Sequence, residues 1–173
     1  TKKVSNGQTS TETSKSEPDK RDSAASLALQ TEIQNSFAMH PTRWAKFYLV
    51  PGNSIHYIDK NSLQLIDGRY TYRMFSEYNE PYTAPMGNLA QSTLTYNAVD
   101  CALRRHVTTR QIEFYGSRAS GRIMRDQMFD RSFVNVEVDL ATVGTDTYVG
   151  AQGKLVCNEL STLEKLPAGF SKD

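Results

Sequence analysis

The chain reads as an α+β protein: a single antiparallel β-sheet with a C-terminal helix packed on it and an N-terminal helix in front. Three observations predict this. Beyond Pro41 the recurrence of apolar residues changes from a helical period to the alternation of strands. The strand-like runs are punctuated by the turn clusters Pro51-Gly52-Asn53, Asp59-Lys60-Asn61-Ser62 and Asp67-Gly68, so consecutive strands run antiparallel. Helical spacing returns only near the end, with Cys157 on its apolar side.

The first segment, residues 1–21, carries one aliphatic residue, Val4, among Ser, Thr, Lys, Glu and Gln. It cannot bury enough apolar area to offset the entropy of ordering, and is expected to be a disordered polar tether. It opens Thr1-Lys2-Lys3, as a mature chain behind a removed leader would, and membrane attachment is expected through a tether upstream of Thr1 rather than a transmembrane segment. Residues 22–40 predict a short helix. Asp22 or Ser23 caps it, Ala25, Leu29, Ile33 and Phe37 form an inward stripe with Gln30, Glu32 and Gln34 away from it, and Pro41 ends it.

The main domain is expected over 41–166, with a tail at 167–173. Trp44 to Val50 and Ser54 to Ile58 are strands; Ser62 to Ile66 and Arg69 to Tyr78 form a hairpin about Asp67-Gly68. In its second strand Tyr70, Tyr72, Met74 and Tyr78 share one face and Arg69, Arg73 and Glu77 the other; Phe75 breaks the alternation, so both faces are partly covered there. Asn79 to Gly87, with Pro81 and Pro85, is expected to be an irregular loop accessible for recognition, where Tyr78, Tyr82 and Met86 offer an apolar patch.

Ser92 to Ala102 and His106 to Tyr115 form the next strand pair. His106, Thr108, Arg110, Ile112 and Phe114 alternate with Val107, Thr109, Gln111, Glu113 and Tyr115, so neither face is purely apolar and a half-exposed sheet is expected. Gly116-Ser117-Arg118-Ala119-Ser120-Gly121 lacks the GxxxxGK[ST] pattern of a phosphate loop and reads as a flexible hairpin loop. Phe133 to Leu140 supplies the last strand. Thr145 or Asp146 then caps a helix reaching about Leu163, with Val149, Gly153, Val156, Cys157 and Leu160 on one side. Gly150 and Gly153 remove bulk beside Cys157, and close backbone approach compensates for their low helix propensity.

Composition and spacing exclude several functions. With a net charge of +1 and scattered basic residues there is no stripe to neutralise a phosphate backbone, so no nucleic-acid partner is expected. The two cysteines, Cys101 and Cys157, stand too far apart and too isolated for a metal site. His106 follows Cys101 by five residues, on the opposite face of a strand, which disfavours a nucleophile–base pair. A disulfide in an oxidising compartment and a reduced pair buried as small hydrophobes both remain open. No catalytic constellation assembles: Asp59 and Asp67 flank separate turns, Glu137 and Asp139 share a strand face, and no Ser-His-Asp spacing matches a nucleophile elbow.

Tyr57-Ile58-Asp59 after a strand, Tyr96-Asn97 leading to Asp100-Cys101, Phe114-Tyr115 before a glycine loop, and a cysteine on a C-terminal helix resemble the surface-adhesin protein E family of Gram-negative envelope proteins, over about Trp44 to Asn158. The resemblance implies a Cys101–Cys157 disulfide holding the helix against the sheet, in a secreted, lipoprotein-type domain of the periplasm or outer-membrane surface. It also implies a protein partner, either a host matrix protein such as vitronectin or laminin or an envelope component, and haem capture among members. The residues themselves define no haem slot, because His40, His56 and His106 lie in unrelated settings, and no cofactor is expected from them.

Three functions follow. A binding module would use Tyr78, Tyr82 and Met86 or the basic positions Arg69, Arg73, Arg104, Arg105 and Arg110, arginine being suited to acidic partners. A periplasmic factor assisting a surface appendage such as a type IV pilus would dock a partner through the Ala25 to Phe37 stripe or a free sheet edge. An enzyme is not expected.

Overall fold

The structure is a computed structural model that describes residues 24–83, 89–129, 138–140, 142, 144 and 146–160. Helix α1 (Ala24–Met39) leads through a 3-10 turn at Pro41–Arg43 into the sheet. The strands are β1 (Trp44–Val50), β2 (Ser54–Asp59), β3 (Gln64–Ile66), β4 (Arg69–Thr83), β5 (Leu89–Asp100), β6 (Arg105–Phe114), β7 (Ile123–Met128) and β8 (Val138–Asp139). Helix α2 (Tyr148–Lys154) continues as a wider π-type segment, Leu155–Leu160. All pairings are antiparallel: the order is β1-β2-β4-β5-β6-β7, with β3 on β4 and β8 on β6. The tip between β3 and β4 has both Asp67 (φ 50°) and Gly68 (φ 77°) left-handed, as a two-residue hairpin of the favoured twist requires.

A helix covers each face of the sheet. On one, Ile33 of α1 joins Trp44, Phe75, Leu94, Ile112 and Phe114. On the other, Val156 beyond α2 joins Ile58, Tyr72, Met74 and Val99. Phe75 and Met74, adjacent on β4, are both buried and point to opposite cores. Each such side chain contributes about 1.5–3 kcal/mol by leaving water. The N-terminal helix, the one sheet and the disulfide-linked C-terminal helix are thus as the sequence predicts.

Several expectations are corrected. The sheet centre is not half exposed: along β5 Thr93, Leu94, Thr95, Asn97, Ala98 and Val99 are all buried, because α1 and α2 lie on opposite faces. The alternation along β6 is broken by a bulge. Arg110 opposes Tyr96 while Thr108 opposes Asn97, so the extra residue Thr109 puts His106 on the α2 face and Ile112 and Phe114 on the α1 face. Part of the expected loop at 79–87 is strand, since β4 runs through Thr83. Pro81 is tolerated because the β4–β5 register slips between Glu77 and Tyr82, where no ladder donor is missed.

In α1, Ala25 is exposed and Gln30 is buried; the loop after β6 presents carbonyls to that face, and an amide meets them where a methyl could not. Strand β7 has no counterpart in the sequence reading. Of the strand expected at Phe133 to Leu140, Val138 and Asp139 are observed, Leu140 lies in a turn, and 133–137 fall outside the described residues. Thr147, not Asp146, caps α2, its hydroxyl accepting from the Gly150 N–H at 3.1 Å. The tether, the caps Asp22, Ser23 and Thr145, residues Pro85, Met86 and Gly87, the end of the last helix beyond Leu160 and the tail also lie outside the described residues.

Candidate functional site

Two buried polar clusters set what the faces can do. On the α1 face, Asp59 at the end of β2 is fully buried and takes both oxygens' bonds from Arg43 (Nε 2.7 Å, Nη2 2.7 Å) and a third from Arg73 on β4 (Nη2 2.5 Å). The same guanidiniums reach Glu32 of α1, Arg43 at 2.5 Å and Arg73 at 2.9 Å. Two cations and two anions balance. Burial works to raise both carboxyls, but the guanidiniums outweigh it and hold Asp59 and Glu32 below their ordinary values. The neighbouring indole of Trp44 stacks on Phe37 of α1 at 4.5 Å and donates to the Ser36 hydroxyl at 2.9 Å. The cluster therefore clamps α1 to the sheet.

On the α2 face, buried His56 sits between two hydroxyls, Ser54 at 2.9 Å and Ser76 at 2.7 Å, inside a ring of Phe47, Tyr48, Tyr78 and Tyr148. A serine hydroxyl can donate or accept, so a neutral imidazole of either tautomer is satisfied. Burial pushes its pKa down to about 4. Further along, Tyr72 and His106 both donate to the Gln152 carbonyl, at 2.6 and 3.0 Å, tying α2 to β4 and β6; burial lowers His106, against the Gln152 bond. His56 and His106 are both buried structural groups.

The cysteines are bonded to one another, with Cα atoms 5.6 Å apart. Cys101 stands in the turn just after β5, not within the strand expected over Ser92 to Ala102, so the bridge fastens the segment after α2 to the sheet's end. Beside it lies a cavity of about 460 Å³ lined by Arg104, Leu140, Gly153, Lys154 and Asn158. The glycines of α2 give room to other neighbours than the bridge: a Cβ on Gly153 would stand 2.5 Å from Leu140 Cδ1, and one on Gly150 would strike the Gly144 carbonyl.

The predicted contact residues are dispersed. Arg73 is bound in the α1 clamp, and Arg110 forms a paired bond to Asp126 (2.9 and 2.6 Å) with its guanidinium 5.3 Å from the Tyr96 ring centre. Arg69 approaches Asp100 at 3.8 Å, and Asp100 opposes Arg105, which opposes Asp139, giving a row of alternating charge at the disulfide end. Arg104 lies in the adjoining turn with φ 53°. Tyr78 is half-buried in the His56 ring; Tyr82 pairs with Ala90 in the β4–β5 arm, and Met86 lies outside the described residues. Sequence reasoning missed the clamp, because its members are spread from residue 32 to residue 73. It also missed the exposed set Tyr115, Arg118 and Arg122, flanked by glycines that read as a plain loop.

A sheet covered on both faces and cross-linked by a disulfide defines a small α+β domain of the kind found in oxidising compartments. The family described as Surface-adhesin protein E matches residues 44–158, and the chain belongs to that family. Among solved structures, Haemophilus influenzae protein E is similar at 13% identity with a TM-score of 0.48, covering 70% of this chain and 88% of that one. A second crystal form of it gives 13% identity and a TM-score of 0.49, covering 69% and 91%. Protein E from non-typeable Haemophilus influenzae gives 13% identity and 0.45, covering 70% and 79%. No curated protein matches the chain.

Proposed function

We propose that this protein is a non-enzymatic, adhesin-like binding protein of the Gram-negative cell envelope, contacting a host matrix or envelope protein. The observation that carries the reading is membership of the surface-adhesin family over residues 44–158, which includes both bridging cysteines. Buried Asp59 and His106 support it, since the first joins the α1 clamp and the second bonds Gln152 of α2, while buried His56 is held between two sheet serines. In this reading residues 1–21 are a tether, and Tyr82 and Met86, together with Arg69, Arg104 and Arg105, offer contact groups. The Ile33 and Phe37 stripe is engaged with the domain's own core, which leaves the helix little surface for docking an appendage.

Protease shaving of intact cells tests the placement: a surface adhesin loses its domain to added enzyme, and full protection would contradict an outward role. Binding of the purified chain to matrix-coated wells tests the activity.

A further inference from the structure

The loop from β6 to β7 holds two consecutive residues with β-carbons, Arg118 (φ 49°) and Ala119 (φ 57°), in the left-handed region. This conformation costs about 1–2 kcal/mol per residue, and neither side chain is the Asn or Asp that offsets it locally. The Ser120 N–H to Ser117 carbonyl bond (3.0 Å) closes a tight turn whose two central residues must be left-handed, and Arg and Ala occupy the positions that Asn and Gly fill at least cost.

The strain is held by three elements. The Ala119 methyl is fully buried in the α1-side core. Its N–H donates to Ser92 Oγ of β5 at 3.1 Å, and the Arg118 N–H donates to Glu77 of β4 at 3.0 Å. From α1, Gln30 donates to the carbonyls of Ala119 (2.9 Å) and Gly121 (2.8 Å), and Gln34 to that of Ala119 (3.3 Å). Strained backbone persists only where its surroundings over-determine it, and it gathers at ligand clamps.

The residues turned outward are Tyr115, 61% exposed, with Arg118 and Arg122, both exposed. Among the described residues neither guanidinium lies within ion-pair distance of a carboxylate, although the charge of Arg118 is felt by Glu77; Arg122 Nη2 approaches the Met124 sulfur at 3.7 Å. Tyrosine and arginine dominate binding hot spots, and a loop already fixed in shape loses little entropy on binding.

We propose that the loop Tyr115–Arg122 is a preorganised contact tip for an acidic segment of a protein partner. Arg118 and Arg122 receive carboxylates, Tyr115 packs beside them, and Gln30 and Gln34 are positioning residues. This rests on the adhesin reading and names the partner's chemistry. Two guanidiniums with an aromatic ring suit a short carboxylate-bearing peptide; a sulfated polysaccharide would call for a longer run of cations.

The test is binding of the full chain to immobilised poly-L-glutamate and to heparin at physiological salt, alongside the matrix-coated wells. The Arg118→Ser/Arg122→Ser variant should bind poly-L-glutamate at least about tenfold more weakly, a loss of about 1.4 kcal/mol, and the variant Lys46→Ser/Lys60→Ser, which removes two exposed cations elsewhere on the domain, should stay within about twofold. Gln30→Met should weaken binding severalfold and remove exchange protection from the Ala119 amide while Trp44 emission is unchanged. Equal losses in the arginine and the lysine pair, tighter binding to heparin, or an unaffected Gln30→Met would overturn the assignment. If the loop variant adheres to matrix as well as the parent, the loop assignment falls and the adhesin reading stands. If the parent itself does not adhere, it is the adhesin reading that falls.

Discussion

The Arg43 guanidinium meets the buried Asp59 carboxylate side-on, with Nε and Nη2 each 2.7 Å from a separate oxygen. Arg43 precedes the family-matched segment and Asp59 lies within it, so the pair joins the N-terminal helical part to the adhesin-type sheet. Arg73 and Glu32 complete the clamp.

Removing one member of a buried, balanced set leaves uncompensated charge, at a cost of about 3–5 kcal/mol. Asp59→Asn should therefore destabilise the protein by about 3 kcal/mol or more, whereas Glu32→Gln, with a side chain 39% exposed, should cost about 1 kcal/mol or less. Urea midpoints at neutral pH measure both; equal effects would refute the clamp's dependence on Asp59.

Acid should weaken the fold in two stages. His56 binds its proton less well folded than unfolded, so protonation favours the unfolded chain. The stability of its neutral form is complete above about pH 6.5 and is lost as pH falls toward about 4, an effect of about 3 kcal/mol. His106 acts in the same direction. Lower still, protonation of Asp59 and Glu32, whose pKa values are depressed, removes the clamp, while Glu77, raised by burial, opposes the trend. In His56→Gln the decline between about pH 6.5 and 4 should flatten; an unchanged slope in urea titrations would count against the assignment.

The Cys101–Cys157 bridge spans a sequence separation of 56, which in the chain-entropy model corresponds to about 4 kcal/mol. Alkylation of the native protein followed by mass measurement should find no free thiol, and the Cys101→Ala/Cys157→Ala variant should lose about that much stability. Two alkylated thiols would exclude the bridge.

Glycine to alanine in α2 should destabilise in proportion to what the new methyl meets, although alanine favours a helix by about 1 kcal/mol. At Gly150 the obstacle is the Gly144 backbone carbonyl; at Gly153 it is the mobile end of Leu140. Gly150→Ala should therefore lower the melting temperature more than Gly153→Ala, and the reverse order would contradict the packing of α2.

Trp44, the single tryptophan, is 6% exposed and stacked on Phe37. Its fluorescence should be blue-shifted and move to the red in Phe37→Ala, which should cost about 3 kcal/mol. Unaltered emission would show that α1 does not cover Trp44.

What the amino-acid sequence determines here is local. Alternation marks Trp44 to Val50, Asp67-Gly68 demands the left-handed turn found there, and the period after Thr147 marks a helix, because each depends on neighbours a few residues away. The pattern of aromatic, Asp-Cys and late-helix motifs also carried the family. Only the tertiary structure decided that both faces of the sheet are covered. It also decided that bulges at Phe47 and Thr109 reassign faces, that Gln30 belongs inside, and that Asp59, read as a turn residue, neutralises two arginines. Burial and charge balance are set by groups distant in sequence, Glu32 with Arg73 and Gln30 with Ala119. No period within one segment records which of its polar side chains will find a partner in another.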